Sequence, residues 1–170
     1  MTSPIDVNNY VSKCLERVDS DSLENDAMLR FTILMLAFNA KYANLRGSDN
    51  GVGNDVSKLK SLFQANSQKV RQILAERNSQ LQKLAEYIAN TEQHSELNKD
   101  LVTRRGFLNS RNPDLNDFAG FVMKVRNNMF HAMKMWDENE ELKLLDVLNP
   151  VLRDIIEAIT RGSQDSRGMG

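Results

Sequence analysis

Between Leu23 and Leu45 apolar side chains recur at three- and four-residue intervals, through Ala27, Phe31, Leu34, Met35, Phe38, Tyr42 and Leu45. Met28, Leu29, Ile33, Leu36 and Ala37 fill the remaining faces. The spacing is that of an α-helix, and apolar residues on most of its sides predict a central helix walled in by others. No stretch alternates apolar and polar residues as a half-buried strand would, and no segment repeats. With 3 prolines and 8 glycines in 170 residues, little interrupts helical structure. The chain is therefore expected to be all-α.

The other helices follow from the same pattern. Ser3-Pro4 with Asp6 supplies a capping hydroxyl, a proline for the first turn and an early acid. That helix is expected to reach about Val18, and Asp19–Ser22 reads as a turn. Residues 46–54 carry three of the glycines and read as a loop. It is not a phosphate-binding loop, because it lacks the Gly-Lys-Ser/Thr ending and no strand precedes it. Val56, Leu59, Leu62 and Phe63 open a third helix, with a kink or break at Asn66-Ser67. Val70, Ile73, Leu74, Leu81, Leu84, Ala85 and Ile88 carry one stripe on to about Thr91.

Within the polar residues 92–112, Leu97, Leu101 and Leu108 predict a short helix before a loop at Ser110–Pro113. His94, flanked by Gln93 and Ser95, is expected in solvent. Asp114 with Asp117 starts a helix from Leu115 to about Met135, with Phe118, Phe121, Val122, Val125, Met129 and Ala132 as its apolar face. The last helix bears Leu145, Leu148, Leu152, Ile155 and Ile159. Pro150 is expected to kink or restart it with Asn149 as cap, and Gly162 to end it. The sum is a bundle of about five to seven helices in one domain over residues 1–161, with a disordered tail at 162–170.

Charge and cysteine usage narrow the partners. A net charge of −1 argues against non-specific polyanion binding by the whole chain. Locally, Arg104, Arg105, Arg111, Lys124, Arg126 and Lys134 outnumber Asp114 and Asp117, and an acidic run of Asp137, Glu138, Glu140 and Glu141 follows. Such runs are commonly just solvated faces. The lone Cys14 makes no intramolecular disulfide, and no Cys/His cluster has zinc spacing. No metal or cofactor is expected. The N-terminus lacks the basic and apolar segments of a signal peptide. The longest apolar run, Phe31–Ala40, is broken by Thr32 and Asn39 and is far short of the roughly 20 residues a bilayer requires. A soluble, cytoplasmic protein without membrane contact is the expectation.

The stretch with chemistry in it is Val-Arg-Asn-Asn-Met-Phe-His-Ala-Met-Lys, residues 125–134. Arg126 and His131 are separated by four residues, with Asn127 and Asn128 directly after the arginine, and His131 is one of two histidines in the chain. Histidine moves protons near neutral pH, and the planar arginine fork donates paired hydrogen bonds to a phosphate. That is the equipment for cleaving RNA without a metal: a base for the 2′-hydroxyl, an acid for the leaving 5′-oxygen, and a cation for the developing charge. On a helix Asn127 and His131 are one turn apart on one face, whereas Arg126 lies about 140° from His131. The arginine must therefore reach round. One histidine cannot easily be both acid and base, and a two-fold dimer would bring two. An arginine and a histidine on an amphipathic helix are also ordinary surface residues. Two successive asparagines, poor helix formers, tip the balance toward a use for their amides.

Arg126-Asn127-Asn128-Met129-Phe130-His131 resembles the signature of the HEPN superfamily (higher eukaryotes and prokaryotes nucleotide-binding), whose ribonuclease members carry Arg, four to six residues, then His. Leu36-Ala37-Phe38-Asn39-Ala40-Lys41-Tyr42 resembles the Ala-Phe-Asn-Ala-x-Tyr segment of an early helix in many bacterial members. The order along the chain agrees, and the resemblance covers roughly residues 20–160, with 50–112 alike only as helices. Ala132 stands where glycine is common after the histidine. The resemblance implies a HEPN-like helical bundle that forms a homodimer and a metal-independent endoribonuclease leaving 2′,3′-cyclic phosphate ends. In it His131 handles protons, Arg126 grips the scissile phosphate and Asn127 orients substrate or histidine. Asn128, Lys124 and Lys134 are then candidate substrate contacts, and Asn39 a buried polar helper. Such proteins act as toxins or antiviral effectors, held in check by an antitoxin or another defence-system partner.

Two other readings stand beside the nuclease. The same helices could serve a non-catalytic HEPN-like dimerisation or interaction module that regulates a partner protein. A plain helical adaptor is the third, and Arg126 salt-bridged to an acid within the core would favour it.

Overall fold

The computed structural model describes residues 4–43, 54–131 and 138–168. Eight α-helices and no strand are found among them. They are α1 (Pro4–Val18), α2 (Ala27–Tyr42), α3 (Asp55–Ala65), α4 (Ser67–Glu76), α5 (Asn78–Ala89), α6 (Ser95–Thr103), α7 (Leu115–His131) and α8 (Glu138–Gly168). Single 3₁₀ turns at Asp21–Leu23, Glu92–His94 and Arg105–Leu108 join some of them. The all-α expectation holds, with one helix more than the five to seven anticipated.

The extra helix comes from Arg77, whose backbone leaves the helical region (φ −97°, ψ 9°) and divides α4 from α5. One such residue barely disturbs the 3.6-residue period, so Val70, Leu74, Leu81, Leu84 and Ile88 still form a single buried stripe. The Arg77 guanidinium meets Asp154 of α8 at 2.7 Å. The break at Asn66 falls where the sequence placed it, and the Asn66 amide donates to the Leu62 carbonyl at 3.0 Å.

Helix starts are set by short polar side chains. Asp26 accepts from the Leu29 amide at 3.0 Å and starts α2 there, so Leu23 falls in the preceding 3₁₀ turn rather than in the helix. Asn54 accepts from Ser57 N at 2.9 Å, and Asp114 from Asp117 N at 3.0 Å. The Ser3 cap expected for α1 and the loop expected over 46–53 lie outside the described residues.

For α8, a restart at Pro150, the Asn149 cap and the stop at Gly162 are corrected. The helix runs through Pro150, which sits on the exposed face, as does Asp146, whose carbonyl has no amide hydrogen to accept from at position 150. Asn149 is no cap. It is buried and donates to the Ala27 carbonyl at 2.9 Å, tying α8 to the first turn of α2. Gly162 does not end the helix, which continues to Gly168. A Cβ there would meet the Lys69 ammonium of α4, so the glycine makes room for a side chain instead of stopping the helix.

Helix α2 packs against α1, α3 and α8, and α7 against α3, α4 and α6. Five phenylalanines join these layers: Phe38–Phe63 at 5.9 Å between ring centres, Phe63–Phe118 at 5.8 Å, Phe107–Phe118 at 5.4 Å and Phe107–Phe121 at 5.2 Å. All five are buried. Helix α2 is less enclosed than its composition predicts, since Met28, Leu29 and Leu36 remain exposed on its outer face.

Candidate functional site

The phenylalanine seam fixes α7. Every residue from Phe118 to Met123 is buried, so this length of the helix is enclosed nearly all round. At Lys124 the helix begins to emerge: Lys124, Arg126 and Asn128 are half-buried and Asn127 is exposed, while Val125 and Met129 keep one side in the core. The motif thus begins where a rigid helix reaches the surface. His131 closes α7, but its side chain lies outside the described residues, as do Ala132 and Lys134 entirely.

Arg126 projects from α7 to the first residue of α3. Its Nη1 donates to Asp55 Oδ2 at 3.1 Å and stands 3.8 Å from Met123 Sδ. The pair is part-buried, at the edge of the core and not within it: the Arg126 side chain is 26% exposed and that of Asp55 44%. The condition that would have favoured a plain adaptor, an arginine neutralised within the core, is not what is found.

A third residue feels both charges. Tyr42, the last of α2, is buried; burial pushes its phenol up, the Asp55 charge pushes it further and Arg126 opposes that. The end of the Leu36–Tyr42 segment thus feels the charges of the Arg126–Asp55 pair. Asp55 was not anticipated. It lies 71 residues from Arg126, and nothing in its surroundings sets it apart from a first-turn helix acid.

Other anticipated residues fall elsewhere. Asn39 is exposed on the outer face of α2 and is not a buried helper, because the turn that buries Phe38 and Tyr42 leaves position 39 outward. Among the described residues the basic stretch does not form one patch. Arg104 lies along α7 against Gly120, with its Nε 2.9 Å from Asp100 Oδ1. Gly120 and Arg126 are about 120° apart round the helix, so Arg104 and Arg126 serve different sides. Arg105 and Arg111 are exposed near the other end of α7.

His94 corrects another expectation. It is buried edge-on against Tyr87, ring centres 5.7 Å apart, because the 3₁₀ turn Glu92–His94 folds the ring back onto α5. Burial holds its pKa below the ordinary histidine value.

A cavity of about 760 Å³ opens between α5 and the 3₁₀ turn Arg105–Leu108, lined by Gln82, Glu86, Asn90, Arg105 and Asn109 among others. Its amides are engaged in the fold: Gln82 donates to the Leu108 carbonyl, Asn90 to the Glu86 carbonyl, and Asn109 accepts from Arg111 and Asn112. The cavity lies by the start of α7, roughly 17 Å along the helix from Arg126 at 1.5 Å per residue. We assign it no part in the motif chemistry. Among the described residues no group of His, Cys, Asp and Glu has the arrangement of a metal site.

No protein-family model matches the chain, and no curated protein or solved structure matches it.

Proposed function

We propose that this chain is a metal-independent endoribonuclease of HEPN type, working in the cytoplasm as a toxin or antiviral defence effector and restrained by a partner protein. The observation that supports the reading is the Arg126 guanidinium held 3.1 Å from Asp55 where α7 reaches the surface, with Tyr42, at the end of the other segment that resembles the superfamily, feeling both charges. In the reaction the 2′-oxygen of the substrate forms a bond to the adjacent phosphorus and the bond to the 5′-oxygen breaks. The proton leaves the 2′-hydroxyl and another arrives on the 5′-oxygen, giving a 2′,3′-cyclic phosphate and a 5′-hydroxyl. Arg126 binds the phosphate and offsets charge as it develops. His131 transfers protons, and a second copy of the chain supplies the other histidine. Asn127, Asn128, Lys124 and Lys134 hold the flanking RNA.

The test is a digest of total RNA and tRNA by the purified protein in excess chelator, beside Arg126→Ala and His131→Ala. The reading requires cleavage by the wild type, cyclic phosphate ends, and a loss of at least about 100-fold in each folded variant. Cleavage that persists in both variants, or that needs a metal, would refute it.

One observation favours the alternative of a non-catalytic dimerisation or interaction module. Met28, Leu29 and Leu36 leave an exposed apolar stripe on α2. A wild type inert on every RNA, whose association with itself or a partner is abolished by Leu36→Glu, would support that alternative. No helix among the described residues is long and apolar enough to cross a membrane.

A further inference from the structure

Resting on the nuclease reading, we infer that Asp55 is a positioning residue for the site: its carboxylate fixes where the Arg126 guanidinium stands, and so where a scissile phosphate is bound.

Arg126 has a reason to need such a residue. Helix geometry leaves it about 140° from position 131, so its direction is not set by its place on α7. A long, flexible side chain grips a phosphate productively only when its fork is held in advance. Asp55 can hold it because it stands on fixed ground. It is the first residue of α3, behind the Asn54 cap, and Leu59, Leu62 and Phe63 bury that helix against α7 and α2. Met123 Sδ, 3.8 Å from the same Nη1, bounds the guanidinium from its own helix. Tyr42 is buried and feels both charges.

The pair is too exposed for its main effect to be on stability, since water screens both partners. What Asp55 does bring is a negative charge beside the place a phosphate would occupy. That charge weakens ground-state binding while it aligns the arginine, and the two effects separate in kinetics. A residue that merely supported the fold would produce no such split.

The experiment measures kcat and KM for tRNA cleavage in chelator with the full chain, as wild type, Asp55→Asn, Asp55→Glu and Asn54→Ala. The last removes the α3 cap without touching the Asp55 carboxylate. Asp55→Asn is expected to lower kcat about 10-fold or more by loosening the arginine. It should also lower KM by about 2- to 5-fold by removing a like charge near the phosphate. Asp55→Glu should recover most of kcat, and Asn54→Ala should lower the melting temperature while leaving kcat within about 2-fold. Active wild type with kcat unchanged in Asp55→Asn overturns the positioning role and leaves the nuclease reading standing. A loss of kcat in Asn54→Ala as large as that in Asp55→Asn also overturns the positioning role, since the effect would then be structural. A folded wild type that cuts neither tRNA nor total RNA overturns both.

Discussion

Gly120 lies midway along the helix that carries the motif, and replacing it with alanine sets two opposing effects against each other. A helix interior favours alanine over glycine by about 1 kcal/mol. Here a Cβ would stand 2.1 Å from Arg104 Nη1 and 2.5 Å from its Cζ, so the guanidinium must move. Moving it breaks the 2.9 Å contact to Asp100, a carboxylate whose side chain is only 12% exposed. A charge-assisted hydrogen bond of this partly buried kind is worth about 2 kcal/mol. Gly120→Ala should therefore destabilise by about 1 kcal/mol, against the usual rule. In an Arg104→Ala background, which itself loses about 2 kcal/mol, the same substitution should stabilise by about 1 kcal/mol because nothing remains to displace. The coupling in the double-mutant cycle is about 2 kcal/mol. Urea unfolding at constant m-value reads these differences, and thermal melts should show Gly120→Ala lower by about 2–4 °C. A Gly120→Ala protein more stable than wild type, or effects that add within about 0.5 kcal/mol, would refute the packing of Arg104 against α7.

Phe63 sits between Phe38 and Phe118 in the aromatic seam, so Phe63→Ala should cost about 4 kcal/mol and lower the melting temperature by about 10 °C. A loss under about 1 kcal/mol would mean the seam does not bear on stability. His94 gives a pH dependence: burial holds its folded pKa below 6.5, so the unfolded chain takes up the proton first. Stability from this residue is complete above about pH 6.5 and is lost as pH falls through the folded value. Urea midpoints should therefore fall more between pH 7.5 and 5 in the wild type than in His94→Phe, and equal falls would contradict the burial.

The bundle was legible because apolar spacing reports burial residue by residue. The stripe through Phe118, Phe121, Val122, Val125 and Met129 and the Asp114 cap are local signals, and both are found as read. Three misreadings share one cause, a contact made across the fold. Polar neighbours around His94 say nothing of a 3₁₀ turn that lays its ring on Tyr87. Gly162 looks like a terminator until Lys69 is seen to lie against it, and Asn149 looks like a cap until it reaches Ala27. At the site, Arg126 could be singled out by its neighbours in sequence, but Asp55 could not. A lone acid after a capping asparagine is what any helix start contains.

Stability does not account for the residues of the site. Each buried phenylalanine of the seam is worth several kcal/mol, whereas a half-exposed ion pair such as Arg126–Asp55 contributes about 0–1 kcal/mol. Asn127 and Asn128 each cost α7 several tenths of a kcal/mol against a better helix former, and Asn127 is exposed, with no packing to offset that. A helix selected for stability alone would carry Glu, Lys or Ala at 127 and 128, as the favoured residues of an emerging helix face. The departures from local preference begin at Asn127, just after α7 starts to leave the core, and the tightly packed length from Phe118 to Met123 holds that point in place. A rigid element ending in locally unfavourable polar residues is what a binding site built on a scaffold requires.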